Sequence, residues 1–394
     1  MFMNMREGQF PILVETGGAG VGAPLPMVGG LRHGEVCSDR AVALSTAYRD
    51  RMQALAGLLD IALRAVVQRY FLDGRIRAIY SLPPDLEGIL RLAAPIPYRV
   101  GWYRPDFILD RDGMARICEI GARYPLNGWM VSRAWSRGQT DFWDDLCAPY
   151  RPGQTVALVH AREPSGEIDY LSDHLRRTGV GFIAARPGDL SLLDGHPHAQ
   201  GRALDHLILQ LDRSELPALD PAVLAHIVAH RAYFNDVRTV ILVHDKRVLA
   251  VLSDAAIMRD AMPADLYARL RPHLITSVCA RSAVEAERLL RYDGDWIAKP
   301  SSGGRGIGTL VRSACGEAEW AERVRRDWPH LMFQPYLDQL DFKDPDFPGP
   351  IHMVGMLLCR DAHCYGNGMF RGSTDAVINL HQQRGKLYRC EVAS

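Results

Sequence analysis

A chain of 394 residues exceeds what one ordinary hydrophobic core supports, so two or three domains are expected. Its 46 basic and 46 acidic residues cancel, leaving no net field to attract nucleic acid or an anionic membrane. No stretch approaches the roughly 20 uninterrupted apolar residues of a membrane span. The eight cysteines contain no Cys-x-x-Cys pair, and scattered thiols in a chain this long fit a reducing cytoplasm. Residues 10–31 are fairly apolar but broken by Glu15, prolines and glycines, so they read as loop and not as a signal peptide.

Residues 40–71 are rich in Ala, Leu and Arg at helical spacing, which makes 1–97 a helical N-terminal region with long helices from residue 40. Two apolar runs, 98–109 and 115–120, flank Asp110-Arg111-Asp112-Gly113. Asp-Gly ends a turn, so 98–150 should carry a hairpin with Asp106 on one strand and Glu119 on the other. Residues 151–255 alternate strand patterns (155–160, 181–185, 206–211, 239–244) with helical ones (168–178, 221–233), the signature of a parallel sheet with helices on it. Within 256–394, residues 256–290 look helical. The runs 296–299, 308–311, 331–336, 353–359 and 376–380 read as strands of an antiparallel sheet.

The sharpest segment is 296–311, Trp-Ile-Ala-Lys-Pro-Ser-Ser-Gly-Gly-Arg-Gly-Ile-Gly-Thr-Leu-Val. A strand ends in Lys299-Pro300, a loop holding Ser301, Gly303, Gly304 and Gly306 follows, and a second strand leaves it. Glycines let a backbone approach a polyphosphate and aim N–H groups at it, and a lysine on the preceding strand reaches the same oxygens as a point charge. A Walker loop is excluded because its lysine follows the glycines. A dinucleotide fingerprint is excluded because strand, not helix, follows here. A glycine-rich hairpin with no ligand stays open as the plainer account.

The segment resembles the central hairpin of the ATP-grasp superfamily, in which a strand lysine and a flexible glycine loop cover the phosphates of ATP. The resemblance implies that Lys246, in His244-Asp245-Lys246-Arg247, reaches the nucleotide from the other side, and that Gln334, Pro335, Tyr336 and Leu337 supply the adenine hinge. Lys246 as a solvated strand-end lysine and Gln334 as a structural amide remain alternatives. Downstream of the glycines only Asp361, Asp375 and Asn379 stand near strand ends, with no Glu-x-Asn. The acids lie upstream, in Arg104-Pro105-Asp106-Phe107 and Ile117-Cys118-Glu119. That order is similar to the circularly permuted ATP-grasp group typified by glutathionylspermidine synthetase. The match covers roughly 100–382 and fails at Gly121, where that group has a metal-binding asparagine. It implies Mg2+ on Asp106 and Glu119, with Asn379 completing the shell. It also implies Arg104 and Arg371 as catalytic cations holding the acceptor carboxylate and the transferring group. A salt-bridged hairpin of Asp106 and Glu119 with Arg104 and Arg123 is the plain alternative.

The fold class implied is α/β with α+β, a central parallel α/β domain beside an antiparallel two-sheet nucleotide cleft. The activity implied is an ATP- and Mg2+-dependent carboxylate–amine ligase that works through an acyl phosphate. Its partners would be a small-molecule carboxylate and an amine, or a short peptide. A phosphotransferase and a non-catalytic nucleotide-binding protein remain open, as does a homodimer.

Overall fold

The chain builds a mixed α/β protein around one large mixed sheet, with several small sheets beside it. The computed structural model describes residues 11–15, 27–28, 31–32, 36–128, 142–162, 168–304, 306–378, 380 and 384–392. From edge to edge the large sheet runs Ile12–Glu15, Cys37–Leu44, Gly385–Val392, His363–Ser373, Pro350–Arg360, Trp102–Leu109 and Ala115–Gly121. Phe342–Lys343 adds onto the start of Pro350–Arg360. All pairings in it are antiparallel except that of Cys37–Leu44 with Gly385–Val392. Three sequence-distant pieces therefore share one sheet, and the hairpin around residue 110 hydrogen-bonds directly to a strand some 250 residues later.

At that junction Gly355 pairs with Phe107, whose ring occupies the space a side chain would need. A Cβ on Gly355 would lie 2.2 Å from one ring carbon and 2.4 Å from the next. Gly355→Ala is expected to destabilise the fold by about 1–3 kcal/mol through overpacking. The effect should appear as a lower urea midpoint at unchanged slope.

Helix Thr46–Arg69 covers one face of this sheet. Its N-cap is Ser45, whose hydroxyl accepts the Tyr48 N–H at 3.1 Å. Met52, Leu55, Ala56, Leu59, Ala62, Leu63 and Val66, spaced three or four apart, form its buried stripe. The expectation of helix from residue 40 is corrected. Cys37–Leu44 is a strand, because pairing on both sides, with Ile12–Glu15 and Gly385–Val392, outweighs the helical propensity of its alanines.

A separate three-stranded parallel sheet has the order His206–Gln210, Thr155–His160, Gly181–Ala185, with helices Ile168–Arg177 and Pro221–His230 in the same stretch of chain. The expected fourth strand at 239–244 is corrected to a π-helical turn, Thr239–Val243, followed after a short turn by helix Val248–Ser253. A wholly buried apolar run carries no periodicity to tell strand from helix. Here side chains fix it as a turn: Tyr80 donates its hydroxyl to the Leu242 carbonyl at 2.8 Å, and Thr239 donates to the Val100 carbonyl at 2.7 Å.

The expected single antiparallel sheet in 296–380 divides in two. Leu310–Val311, Trp296–Pro300 and Leu331–Pro335 form a small sheet of their own, while Pro350–Arg360 joins the large one. Residues 374–377 are bends and 378 is irregular, not the strand expected at 376–380, for they lie beyond the point where Ser373 pairs with Gly385. Among the described residues no helix is long and apolar enough to cross a membrane.

Candidate functional site

A cavity of about 150 Å³ lies between the large sheet and the small one. The carboxylate hairpin contributes Asp106, Ile108, Cys118 and Glu119, and the next strands of the large sheet contribute Val354 and Arg371. Opposite stand Ile297, Lys299, Gly306 and Thr309 from the glycine segment and residues 334–337 from the strand end. Ala376, Val377 and Ile378 line it from the 374–378 loop.

The hairpin aims its acids by an irregularity. Asp106 is the register partner of Glu119, but Phe107 already pairs with Ile117, so Cys118 is an extra residue in its strand. A bulge of this kind breaks the alternation of faces, and both Cys118 and Glu119 line the cavity in consequence. Cys118 was not foreseen. Strict alternation would put it on the face opposite Glu119, and a bulge leaves no mark in residue spacing. Burial pushes the Cys118 thiol up to about 11, so it is a neutral side chain here.

Each carboxylate meets a cation from a remote part of the chain. Arg371 donates from Nη2 to the Asp106 carboxylate, and Lys246 Nζ lies 3.2 Å from Glu119 Oε1. Burial alone would raise the Glu119 carboxyl. Lys246, Lys299 and His244 overcome this and bring it down to about 2. Asp106 goes the other way: burial raises it and the neighbouring Glu119 charge adds, against the opposing pull of Arg371. Lys299 Nζ donates to the Cys118 carbonyl at 3.0 Å, bridging the small sheet to the hairpin.

Lys246 sits in the buried turn after the π-helical segment, not at a strand end. Its ammonium also donates to the Gly303 carbonyl at 2.9 Å, and its backbone N–H donates to the Ser301 carbonyl at 3.0 Å. The glycine loop is thus tied to this turn. A network unseen in the sequence holds the turn in place. Asp245, wholly buried, accepts from Arg247 at 2.7 Å and from Arg213, which also reaches Ser301 Oγ at 3.1 Å. Arg123 pairs with Asp212 and lies beside Gly304. His244 accepts the Ala122 N–H at Nδ1, at 3.3 Å. Burial, with Arg123 and Lys246 adding, keeps its imidazole far below the ordinary range and neutral.

Of the residues singled out above, Asp106, Glu119, Lys299, Gly306, Gln334, Tyr336, Leu337 and Arg371 line the one cavity. Lys246, Ser301, Gly303 and Gly304 are not among its lining residues: Lys246 reaches the lining through Glu119, Ser301 and Gly303 are tied to Lys246, and Gly304 lies beside Arg123. Arg104 is buried behind the hairpin, where its guanidinium donates to the carbonyls of Arg123 at 2.8 Å and Tyr124 at 3.2 Å. That anchors the turn at Tyr124, whose φ is +54°. Asn379 lies outside the described residues.

The cavity suits a polyanion with an apolar, amide-reading end. Lys299 and Arg371 line it at one side, beside the two carboxylates, and Lys246 backs Glu119 from outside the lining. At the other, Gln334 donates Nε2 to Ser277 Oγ at 2.9 Å, and its buried Oε1 has no partner among the described residues. Gly306, with φ +68°, lets the loop pass so close to the 374–378 segment that a Cβ would stand 2.6 Å from Val377 Cγ1. Tyr336 donates its hydroxyl to the Ala376 carbonyl at 3.4 Å, closing the same rim. Among the described residues no three or more His, Cys, Asp or Glu are grouped to hold a metal ion. The two carboxylates nevertheless fit Mg2+, which takes one or two carboxylates and fills its shell with phosphate oxygens and water.

Comparison with known proteins places this geometry on a known fold. A family model described as the AnkG N-terminal domain matches residues 55–242. No curated protein matches the chain. Among solved structures it is similar to a glutathione synthetase-like effector, GSS30, from Globodera pallida, in apo form. The two are 10% identical, with 89% of each chain covered and a TM-score of 0.51. It also aligns with a candidate gamma-glutamylcysteine synthetase from Methylobacillus flagellatus KT, at 11% identity, 85% of this chain, 88% of that one and a TM-score of 0.43. The first likeness is one of fold, and the second adds nothing to it.

Proposed function

We propose that this chain is an ATP-grasp ligase of circularly permuted order, which uses ATP to join a carboxylate to an amine through an acyl phosphate, on a small molecule or short peptide. One observation carries the reading: Asp106, Glu119, Lys299, Gln334 and Arg371, drawn from opposite ends of the chain, line a single cavity between two sheets. A glutathione synthetase-like protein of the same fold supports an amide-forming chemistry. In this reading 1–97 supports the fold, 98–150 joins 256–394 to make the nucleotide cleft, and 151–255 brings Lys246 to it.

Lys246 and Lys299 hold the phosphates, and the unpartnered Gln334 Oε1 accepts from the exocyclic amine of adenine, with the backbone to Leu337 beside it. Arg371 balances charge on the transferring group or the acceptor carboxylate. Arg104 acts as a positioning residue for the 121–124 turn. Asp106 and Glu119 would hold Mg2+, which supplies charge neutralisation at the phosphoryl group. The glycine segment, with Gly306 seated against Val377, excludes water that would hydrolyse the acyl phosphate.

A second reading, a non-catalytic nucleotide-binding protein, draws on Gly121, which offers no third metal ligand beside Glu119. Incubation with Mg·ATP and a panel of amino acids and amines, with phosphate release as readout, separates the readings. Release that depends on the amine is the expected result. ATP bound without turnover favours the second reading, ADP formed with no amine consumed favours a phosphotransferase, and absence of ATP binding removes all three.

A further inference from the structure

Among the described residues both cations that line the cavity have an intramolecular partner, Arg371 on Asp106 and Lys299 on the Cys118 carbonyl, and Lys246, outside the lining, is held on Glu119 and the Gly303 carbonyl. The acids that suit a metal are therefore held by the groups that suit a phosphate. We infer that Arg371 and Lys246 make the site selective for a metal–triphosphate complex over either component alone, by holding Asp106 and Glu119 until the complex exchanges partners with both pairs. This rests on the nucleotide reading above and deepens it.

Charge and hydrogen bonding both support the exchange. Lys246, Lys299 and Arg371 against Asp106 and Glu119 leave a single net positive charge. A free triphosphate, with about four negative charges at neutral pH, would face both carboxylates in a poorly solvated cleft, where like charges repel strongly. A free divalent cation would have to displace a guanidinium or an ammonium that then has no anion to receive it. Gly121, the register partner of Arg104, adds no ligand to help it. When metal and triphosphate arrive together, the carboxylates pass to the metal and the displaced cations pass to phosphate oxygens, so no buried charge is stranded. Arg371 has an acceptor to gain, because its buried Nε lacks a partner while Nη2 is on Asp106.

The test uses the full chain, Mn2+ as the metal probe and a non-hydrolysable ATP analogue, with binding followed by calorimetry and by the electron spin resonance of free Mn2+. In the unaltered protein Mn2+ alone should bind weakly, and the analogue should tighten it by about tenfold or more, with the reciprocal effect on the analogue. Arg371→Gln should bind Mn2+ alone more tightly than the unaltered protein, again by about tenfold, while the coupling to the analogue shrinks. Lys246→Gln tests the Glu119 pair in the same way and decides the matter if Arg371→Gln does not fold. Equal Mn2+ affinity with and without bound analogue overturns the inference, as does a failure of both variants to gain Mn2+ affinity; in either case the nucleotide reading stands. An analogue that binds neither with nor without Mn2+ overturns the inference together with that reading.

Discussion

Lys299→Ala is expected to lower kcat/KM for ATP by about 10²–10³-fold, the usual cost of removing one preorganised donor from a developing anion. Lys299 stands on the strand Trp296–Pro300, one residue before the glycine loop, with its stem buried between the two sheets. Its ammonium is fixed against the Cys118 carbonyl at 3.0 Å, so little reorganisation is needed when a phosphate arrives. Alanine removes the charge and also leaves that carbonyl without its donor, which costs stability. Lys299→Met also leaves that carbonyl without its donor but keeps the buried stem, so it should melt above the alanine variant yet bind ATP as poorly. Calorimetric titration with ATP and steady-state phosphate release check both. Unaltered ATP binding in the two variants would take the nucleotide reading away from this cavity.

Local chemistry made some of this site legible in the sequence. Asp110-Arg111-Asp112-Gly113 announced a turn, and with it the hairpin that carries Asp106 on one strand and Glu119 on the other, although the register from the turn would pair Asp106 with Cys118 and the bulge is what sets it opposite Glu119. The Lys299-Pro300 strand end and its glycines likewise declared themselves, because few backbones other than an exposed loop tolerate the positive φ of Gly303, Gly306 and Gly308. What the sequence hid was set by partners far away. Cys118 enters the cavity through a bulge. Cys37–Leu44 is a strand because Gly385–Val392 lies beside it. Lys246 was expected at the end of a strand, yet it lies in the turn after a π-helical segment whose residues are all buried and so show no period. The pairs Arg123–Asp212 and Arg213–Asp245 join residues 89 and 32 apart. No spacing rule could have matched them, and they hold the turn on which Lys246 is carried.

Glu119→Gln should spare ATP affinity within a few-fold while lowering the rate by 10² or more, roughly the loss seen when one electrostatic group leaves a preorganised site. The amide keeps the size of the side chain but gives up the charge that a metal requires. The same substitution has a signature in acid that needs no substrate. The Glu119 carboxyl ionises near 2, against an ordinary 4.5. Its folded pKa is depressed, so the stability it contributes is present above the unfolded value and is lost as pH falls through about 2. That contribution is on the order of 3 kcal/mol at neutral pH. The stability gap between the unaltered protein and Glu119→Gln should therefore be widest at pH 6–7 and close between pH 4.5 and 2, as urea melts across that range would show. The two measurements carry different weight. A gap that closes in acid while the rate stays unchanged would leave the Lys246–Glu119 pair as a structural clasp and strip Glu119 of any part in holding metal. A rate that collapses while affinity holds makes Glu119 a group whose charge matters most as the phosphoryl group moves.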